Sequence, residues 1–390
     1  MCKGGWSPDP SGGHPIFLRD IPRRPCTSIG RDPNLRPRVV SAIVVNWNGR
    51  AYLPACLEAV LAQDPAPSEV IVVDNHSDDG SRELVAARFP TVRLIDTGRN
   101  AGPCLARNVG VAAASSELCL VLDNDVVLRP GALRALRSCL EADGRAAMVQ
   151  ARSVCGDDPS VVHYDGGDLH FLGTLVLHNW YRPLAEATTP AGPVGAAVAL
   201  CFLVKKSVFT AVGGFDENLF ILYEDNEFSY KLRMRGHTIW LCPDAVCAHM
   251  AGTAGLSVRG ENGAYPGKRT FLHSRNRWYV LLVCMRWRTL LLTIPAQLLY
   301  GVVYAAFGHQ RGHVRDWWRG KWELWKLLPK AVRARGPAQR GRTVPDRDLL
   351  VALPMTLNPG LAQRGAAAAL RRALDGLFAA YWAVVRRLCG

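Results

Sequence analysis

The chain has 390 residues, 49% hydrophobic and 21% charged, which excludes a wholly disordered chain and leaves room for a sizeable core in roughly two to three domains. Its formal charge of +14 invites a nucleic-acid surface, but residues 1–38 carry 7 basic and 3 acidic side chains, residues 39–250 carry 17 and 24, and residues 251–390 carry 23 and 6. A net of −7 in the middle and +17 at the end excludes a protein-wide nucleic-acid surface, and no nucleic-acid partner is expected. The opening MCKGGWSPDPSGGHPIF has no continuous apolar stretch, so no secretory signal is expected. The twelve cysteines form no C-x-x-C pair and read as reduced thiols of a cytosolic compartment. Cys242 and Cys247 with His249 hint at zinc, but no second cysteine pair completes a tetrahedral site.

Residues 1–38 are rich in Pro, Gly and Arg, lack periodicity, and read as a flexible leader. From Val39 the pattern changes. VVSAIVVNW is a short apolar run rich in β-branched residues that predicts a buried strand, and AYLPACLEAVLAQ predicts a helix after it. SEVIVVDN predicts a second strand, Ser81 to Phe89 a helix, TVRLIDT a third strand, and Pro103 to Ala114 another helix. ELCLVLDND predicts a fourth strand, and Pro130 starts a further helix at a favourable first-turn position. Strands alternating with helices at this spacing predict an α/β fold with a Rossmann-like, mostly parallel sheet and helices on both faces. The pattern is less regular over 146–204. Glu224 to Arg235 reads as a helix stopped by Gly236, and TIWLCPDAVCAHM as one or two short strands. From Lys268 onward the composition turns to Arg, Trp and long apolar runs.

In an open parallel sheet, ligands bind beyond the carboxyl ends of the strands. The first strand ends in Asn46-Trp47-Asn48-Gly49 and the second in Asp74-Asn75-His76-Ser77-Asp78-Asp79-Gly80. The third is followed by Arg99-Asn100-Ala101-Gly102 and then Arg107-Asn108, and the fourth ends in Asp123-Asn124-Asp125. Asp, Asn and Gly favour turns at any single tip, but four such tips gather carboxylates and amides on one edge. Two carboxylates at i and i+2 on a strand end suit Mg²⁺ or Mn²⁺, which take oxygen ligands and bridge protein carboxylates to substrate phosphates. Neither a Walker-type G-x-x-x-x-G-K-[ST] nor a G-x-G-x-x-G follows the first strand, which counts against P-loop hydrolases and dinucleotide oxidoreductases. Glu224-Asp225 open a helix, where the dipole favours the anion; helix capping and general-base work both fit them. His249 ends an apolar run and fits either a structural role or a metal ligand.

The segments VVNWNG, VVDNHSDDGS, GRNAGPCLARNVG, VLDNDV, GGFDE, YEDNEFSYKLRMRG and AHMAG occur in this order over residues 39–252. As a set they resemble family 2 glycosyltransferases, inverting enzymes of the GT-A fold, and within them the rhamnosyl- and galactofuranosyltransferase-like branch. The resemblance implies a nucleotide-sugar donor, a divalent cation (Mg²⁺ or Mn²⁺) and inversion at the anomeric carbon. It gives Asp74 the nucleoside contact, with Asn46 and Asn48 in the same donor pocket. It gives Asp123 and Asp125 the metal and the ribose-diphosphate, and His249 a further bond to the metal. Asp225 takes the part of the general base, with Glu224 beside it contacting acceptor or metal. Trp47, Asn100 and Arg107 belong more loosely to the donor pocket. The implied reaction moves a sugar, rhamnose by family analogy, to a hydroxyl of a lipid-linked or other glycan acceptor in cell-envelope polysaccharide synthesis.

Residues 289–307, TLLLTIPAQLLYGVVYAAF, carry no charge, and a run of about 20 apolar residues can cross a bilayer. Pro295, Gln297 and Gly301 interrupt this one and arginines flank both ends, so a re-entrant or interfacial helical hairpin fits better than a span. Trp278, Trp287, Trp317, Trp318, Trp322 and Trp325 suit an interfacial belt, and AALRRALDGLFAAYWAVVRRL reads as an amphipathic helix. The expected organisation is a leader at 1–38, a glycosyltransferase domain at 39–252, a basic, Trp-rich membrane-associating region at 253–342, and a linker with an amphipathic helix at 343–390. Such a protein would sit on the cytoplasmic side of the cell membrane, peripheral or monotopic, against anionic lipid, and deleting 268–390 would release it. A buried helix pair with a solvated basic face is the plain alternative. Two other functions stay open. A sugar nucleotidyltransferase would carry a Gly-rich, Arg/Lys-bearing loop after the first strand, which NWNGRAYLPA lacks. A non-catalytic membrane-bound protein would keep only the fold.

Overall fold

The computed structural model describes residues 39–250, 256, 265–356 and 365–389; the leader at 1–38 and the Ala251-Gly252 end of the AHMAG segment lie outside the described residues. The alternation read from the sequence is present: β1 (Val40–Asn46), α1 (Leu53–Leu61), β2 (Glu69–Asp74), α2 (Ser81–Arg88), β3 (Arg93–Asp96), α3 (Gly102–Ala113) and β4 (Leu118–Asp123). After these come β5 (Val126–Leu128), α4 (Ala132–Glu141) and the fully buried β6 (Ala146–Cys155). Pro130 precedes α4 and does not open it, because Gly131 turns the chain at φ +81° before the first helical residue. Four three-residue strands follow, β7 (Val162–Tyr164), β8 (Gly167–Leu169), β9 (Leu175–Leu177) and β10 (Gly192–Val194). They lead to β11 (Cys201–Lys205), α5 (Lys206–Ala211), α6 (Glu224–Met234) and β12 (Thr238–His249). The remainder is helical: α7 (Gly267–Cys284), α8 (Trp287–Gln310), α9 (Val314–Gln339), the single turn α10 (Asp346–Leu349) and α11 (Gly365–Val385).

The main sheet runs β10-β12-β6-β11-β4-β1-β2-β3, with β5 on β12 and β7 on β6, while β8 and β9 form a separate hairpin. Strands β4, β1, β2 and β3 are parallel. The other half is mixed, because β11 runs antiparallel between β4 and β6. The direction of winding reverses between β1 and β4, and a crevice opens at such a point in α/β sheets. The register sets Asn46 opposite Asp74 and Val45 opposite Asp123, so the three tips end at one level.

Alternate residues of a strand face opposite sides, and both sides of β1 are covered. Val40, Ala42 and Val44 pack with α1, α2 and α4; Ile43 and Val45 pack in a cluster that takes in α3, α6 and apolar residues of α7 to α11. The change at residue 252 is therefore one of composition, and the packing continues across it. Helix α7 carries Tyr279, Val280 and Leu281 at 0–1% exposure. Helix α8 is, among the described residues, the one long and apolar enough to cross a bilayer. Leu291, Leu298 and Val302 of α8, Trp318, Trp322 and Trp325 of α9, and Leu370, Leu377 and Val384 of α11 are each more than half exposed. These spacings form one stripe per helix. Trp278 and Trp317 depart from the expected belt: both are half-buried, and the Lys321 ammonium lies over their rings.

Strand β12 is continuous, with a register shift between Cys242 and Val246. It parts the zinc candidates. Cys242 meets Cys139 of α4, whereas His249 meets Asp125. Among the described residues no three metal-binding side chains stand together as a preassembled cluster.

Candidate active site

A cavity of about 1130 Å³ lies beyond the tips of β1 and β4, larger than the roughly 300–1,000 Å³ usual for one small ligand. Of the residues singled out in the sequence, Trp47, Asn100, Arg107, Asp123, Asp125, Glu224, Asp225 and His249 line it. Asn46, Asn48 and Asp74 do not; the structure gives them another place. Asp74 has no exposure, and its oxygens accept from the Ser77 backbone N–H at 2.7 Å, the Ser77 hydroxyl at 2.8 Å and Asn46 Nδ2 at 2.6 Å. Asn46 Oδ1 in turn accepts from Asn124 Nδ2 at 2.6 Å. Asn48, in the left-handed region at φ +49°, gives its N–H to Ser77 Oγ and accepts at Oδ1 from the Asp78 N–H, a conformation that asparagine tolerates. These three tie the tips of β1, β2 and β4 into one frame beneath the cavity. The wall residue at the β2 tip is Asn75, whose Nδ2 donates to the Gly102 carbonyl at 3.1 Å.

The cavity's charged centre is Arg107 of α3, 3% exposed. Its guanidinium donates to Asp123 Oδ1 at 2.9 Å and to Glu224 Oε1 at 3.1 Å. One buried cation thus joins the tip of β4 to the start of α6. Burial raises the Asp123 pKa and the Asp125 charge adds to this, while Arg107 opposes it. Gly102 begins α3 at φ +85°, and a Cβ there would stand 2.5 Å from the Phe220 carbonyl oxygen, so only glycine lets α3 approach the segment that leads into α6.

Glu224 is 7% exposed, and its Oε2 accepts no hydrogen bond from any described residue. Asp225 opens on the cavity from the first turn of α6, accepting the Asn226 N–H at Oδ1. Burial pushes its pKa up to about 7, and the neighbouring Glu224 charge pushes the same way. Both effects outweigh the helix dipole, which would lower it. At the far side, His249 Nε2 lies 3.0 Å from Asp125 Oδ2, and His249 Nδ1 lies 2.8 Å from Nδ1 of His163. The two imidazoles stack with centroids 4.8 Å apart. Sequence reasoning passed over His163 because it sits in the irregular stretch between β6 and β8, with no motif around it.

Glycosyl transferase family 2 is the family whose profile matches residues 41–209. The chain is 30% identical to the N-acetylglucosaminyl-diphospho-decaprenol L-rhamnosyltransferase of Mycobacterium tuberculosis, over 61% of this chain and 85% of that one. The chain belongs to glycosyl transferase family 2. A second relative, the succinoglycan biosynthesis protein ExoO of Rhizobium meliloti, is 37% identical over 39% of this chain; the match spans only 41% of that protein. Among solved structures, GalNAc-T7, crystallised with UDP, GalNAc and Mn²⁺, superposes with a TM-score of 0.52 at 16% identity, over 79% of this chain and 59% of that one. That likeness shows a shared fold of the GT-A type.

The cavity brings together oxygen and nitrogen donors of the kind a divalent cation takes. Asp125 and His249 converge, Asp123 precedes Asp125 by two residues and has an oxygen on Arg107, and the Oε2 of Glu224 accepts no hydrogen bond from any described residue in the same cavity. Mg²⁺ and Mn²⁺ bound through one or two protein carboxylates complete their shell with water and substrate phosphate, which is consistent with the lack of a preassembled three-residue cluster.

Proposed function

We propose that this chain is an inverting, metal-dependent glycosyltransferase that moves a sugar, rhamnose by analogy with its mycobacterial relative, from a nucleoside-diphosphate donor to a hydroxyl of a lipid-linked glycan. The observation that carries this reading is the double engagement of Arg107, which brings the D-x-D acid Asp123 and the Glu224-Asp225 pair onto one cavity. Asp225 removes the proton of the acceptor hydroxyl as that oxygen bonds to the anomeric carbon on the face opposite the diphosphate. The bond from the anomeric carbon to the diphosphate oxygen breaks, and its electron pair leaves on the nucleoside diphosphate. Configuration inverts in this single displacement, and no enzyme nucleophile is needed. A pKa of about 7 suits a general base working near neutral pH. Asp123, Asp125 and His249 would hold the cation, which when bound neutralises charge developing on the leaving diphosphate. Trp47, Asn75 and Asn100 line the donor side.

The acceptor side supports an amphiphile. The same cavity is lined by Val302, Val303 and Ala306 of α8 and Leu370 and Leu374 of α11, with Lys268, Arg269 and Arg371 also on its wall. Apolar walls suit a hydrocarbon chain, and the cations suit its phosphate. The exposed stripes of α8, α9 and α11 and the net +17 of residues 251–390 suit peripheral or monotopic attachment to an anionic cytoplasmic leaflet, where each Lys or Arg contributes about 1 kcal/mol.

The test is a panel of nucleotide sugars with Mn²⁺ or Mg²⁺. Release of nucleoside diphosphate is the expected result and names the donor. A nucleotidyltransferase would instead consume added pyrophosphate and return nucleoside triphosphate and sugar 1-phosphate, and neither outcome would leave the scaffold reading.

A further inference from the structure

The segment that delivers Asp225 has an unusual backbone. Phe220, Leu222 and Tyr223 all lie in the left-handed region, at φ +65°, +64° and +74°. None is glycine, and Phe220 at ψ −70° has the geometry of a strained γ-turn. Non-glycine residues persist in such conformations only where their surroundings over-determine them, and they cluster at functional sites. Here α3 contributes the Cys104 thiol on the Phe220 carbonyl, and α7 supplies the rest of the side-chain hydrogen bonds. Asn276, with no exposure, points its Nδ2 at the carbonyl oxygens of Leu219, Ile221 and Leu222, at 3.0, 2.9 and 2.7 Å. Its own Oδ1 is fixed by Arg275 Nε at 2.7 Å, and a terminal nitrogen of the same guanidinium donates to the Leu219 carbonyl at 2.7 Å. One turn earlier, the neutral ring of His273 meets the Tyr223 hydroxyl at 2.9 Å.

We propose that Asn276 is a positioning residue for glycosyl transfer: its amide holds the left-handed turn Phe220–Tyr223 in shape and thereby sets where Asp225 meets the acceptor hydroxyl. This rests on Asp225 being the base. Asn276 lies beyond residues 41–209, the stretch that matches the family, so this positioning role falls to a helix of the C-terminal region. The donor-side residues Trp47, Asn75 and Asn100 sit on other elements, and the Asn276 amide donates to the turn carbonyls and not to them.

The full-length protein, Asn276→Ala, Asn276→Ser and Asp225→Asn are compared for turnover at saturating donor, for UDP and dTDP affinity with Mn²⁺ by calorimetry, and for the pH midpoint of the acidic limb of the rate. A displacement near 1 Å costs on the order of 10²-fold, so Asn276→Ala is expected to lower kcat by about that factor with donor KM and nucleotide affinity nearly unchanged. The acidic midpoint is expected to move, because the carboxylate's surroundings change with the turn. Asn276→Ser keeps one donor, is expected to recover part of the loss, and carries the measurement should Asn276→Ala fail to fold. Normal turnover in a folded Asn276 variant overturns the proposal. So does a loss that tracks thermal stability and nucleotide affinity with the pH midpoint unmoved. Asp225→Asn separates the two readings: if it is inactive while Asn276→Ala turns over normally, only the role of Asn276 falls, and if it stays active the base assignment falls with it.

Discussion

At the sheet end of the cavity the strand tips hold one another, Asn46 bonding to Asp74 and accepting from Asn124, whereas at the helix end the chain is bent through left-handed turns and bonded by a side chain 54 to 57 residues further along. Asn46, Asp74, Ser77 and Asn124 are linked by short hydrogen bonds, and the strand register sets Asn46 level with Asp74. The Phe220–Tyr223 turn has local backbone bonds, Phe220 N–H to the Glu217 carbonyl and Ile221 N–H to the Leu219 carbonyl, and its side-chain bonds come from Cys104 of α3 and from α7. Arg107, a buried cation, bonds to both ends, Asp123 on one side and Glu224 on the other. A frame fixed by register is ready before substrate arrives and suits donor binding. A turn fixed by a distant helix suits fine placement of a base.

Substitutions at the two ends should therefore fail in different ways. The largest effect is expected for Asp225→Asn, which removes the base and should cut kcat by about 10²–10⁴-fold with nucleotide binding intact. In the unaltered protein, the rate should rise as pH climbs through about 7, where Asp225 loses its proton, and a rate profile with its acidic midpoint near an ordinary carboxylate value would contradict this. Next, Arg107→Met leaves two largely buried carboxylates without their shared cation, which should cost about 3–5 kcal/mol of stability, read by denaturant unfolding; a variant as stable as the parent would break the view that this residue joins the two ends. At the sheet end, Asp125→Ala should abolish the Mn²⁺-dependent part of UDP binding, and His163→Phe, acting through His249, should weaken it by about 10–100-fold. Calorimetry with and without Mn²⁺ checks both, and metal-independent affinity in the unaltered protein would end the cation assignment. The smallest effect concerns the exposed stripe of α9. Changing Trp318, Trp322 and Trp325 to Ser together should lower affinity for anionic vesicles on the order of tenfold and leave turnover on a water-soluble acceptor unchanged. Deleting 268–390 would be a poorer test of membrane attachment, since it also removes Asn276 from the base turn.

Much of the sheet end was legible in the sequence. The β-branched runs of β1, β2 and β4 and their Asn- and Asp-rich tips follow from period-2 burial and turn chemistry, which are local. Asp123, Asp125 and Glu224-Asp225 were legible as carboxylates at strand and helix ends. Other features were not. The antiparallel entry of β11 and the ten-residue buried run of β6 with Gln150 and Arg152 inside it carry no periodicity signal. Arg152 is tolerated there because Asp165 engages it with two bonds of 2.8 and 2.7 Å, a partner that a linear pattern does not reveal. Asp74 was legible as an important acid, yet burial turns it toward Ser77 and Asn46 and leaves the cavity wall to Asn75.

By itself, then, the sequence determined the alternation of strands and helices, the family, and the acids that gather on one edge, because each is written in spacing and residue type over a few turns of chain. Only the tertiary structure decided which of those polar groups face the cavity, that Arg107 bonds to both ends, that His163 stands behind His249, and that the C-terminal helices share a core with the sheet. Those depend on burial and on contacts between different elements, where a side chain's role is set by what packs against it. The +17 region also changed meaning. Its outer stripes suit a membrane, while Asn276 on its inner helix reaches the turn that carries Asp225.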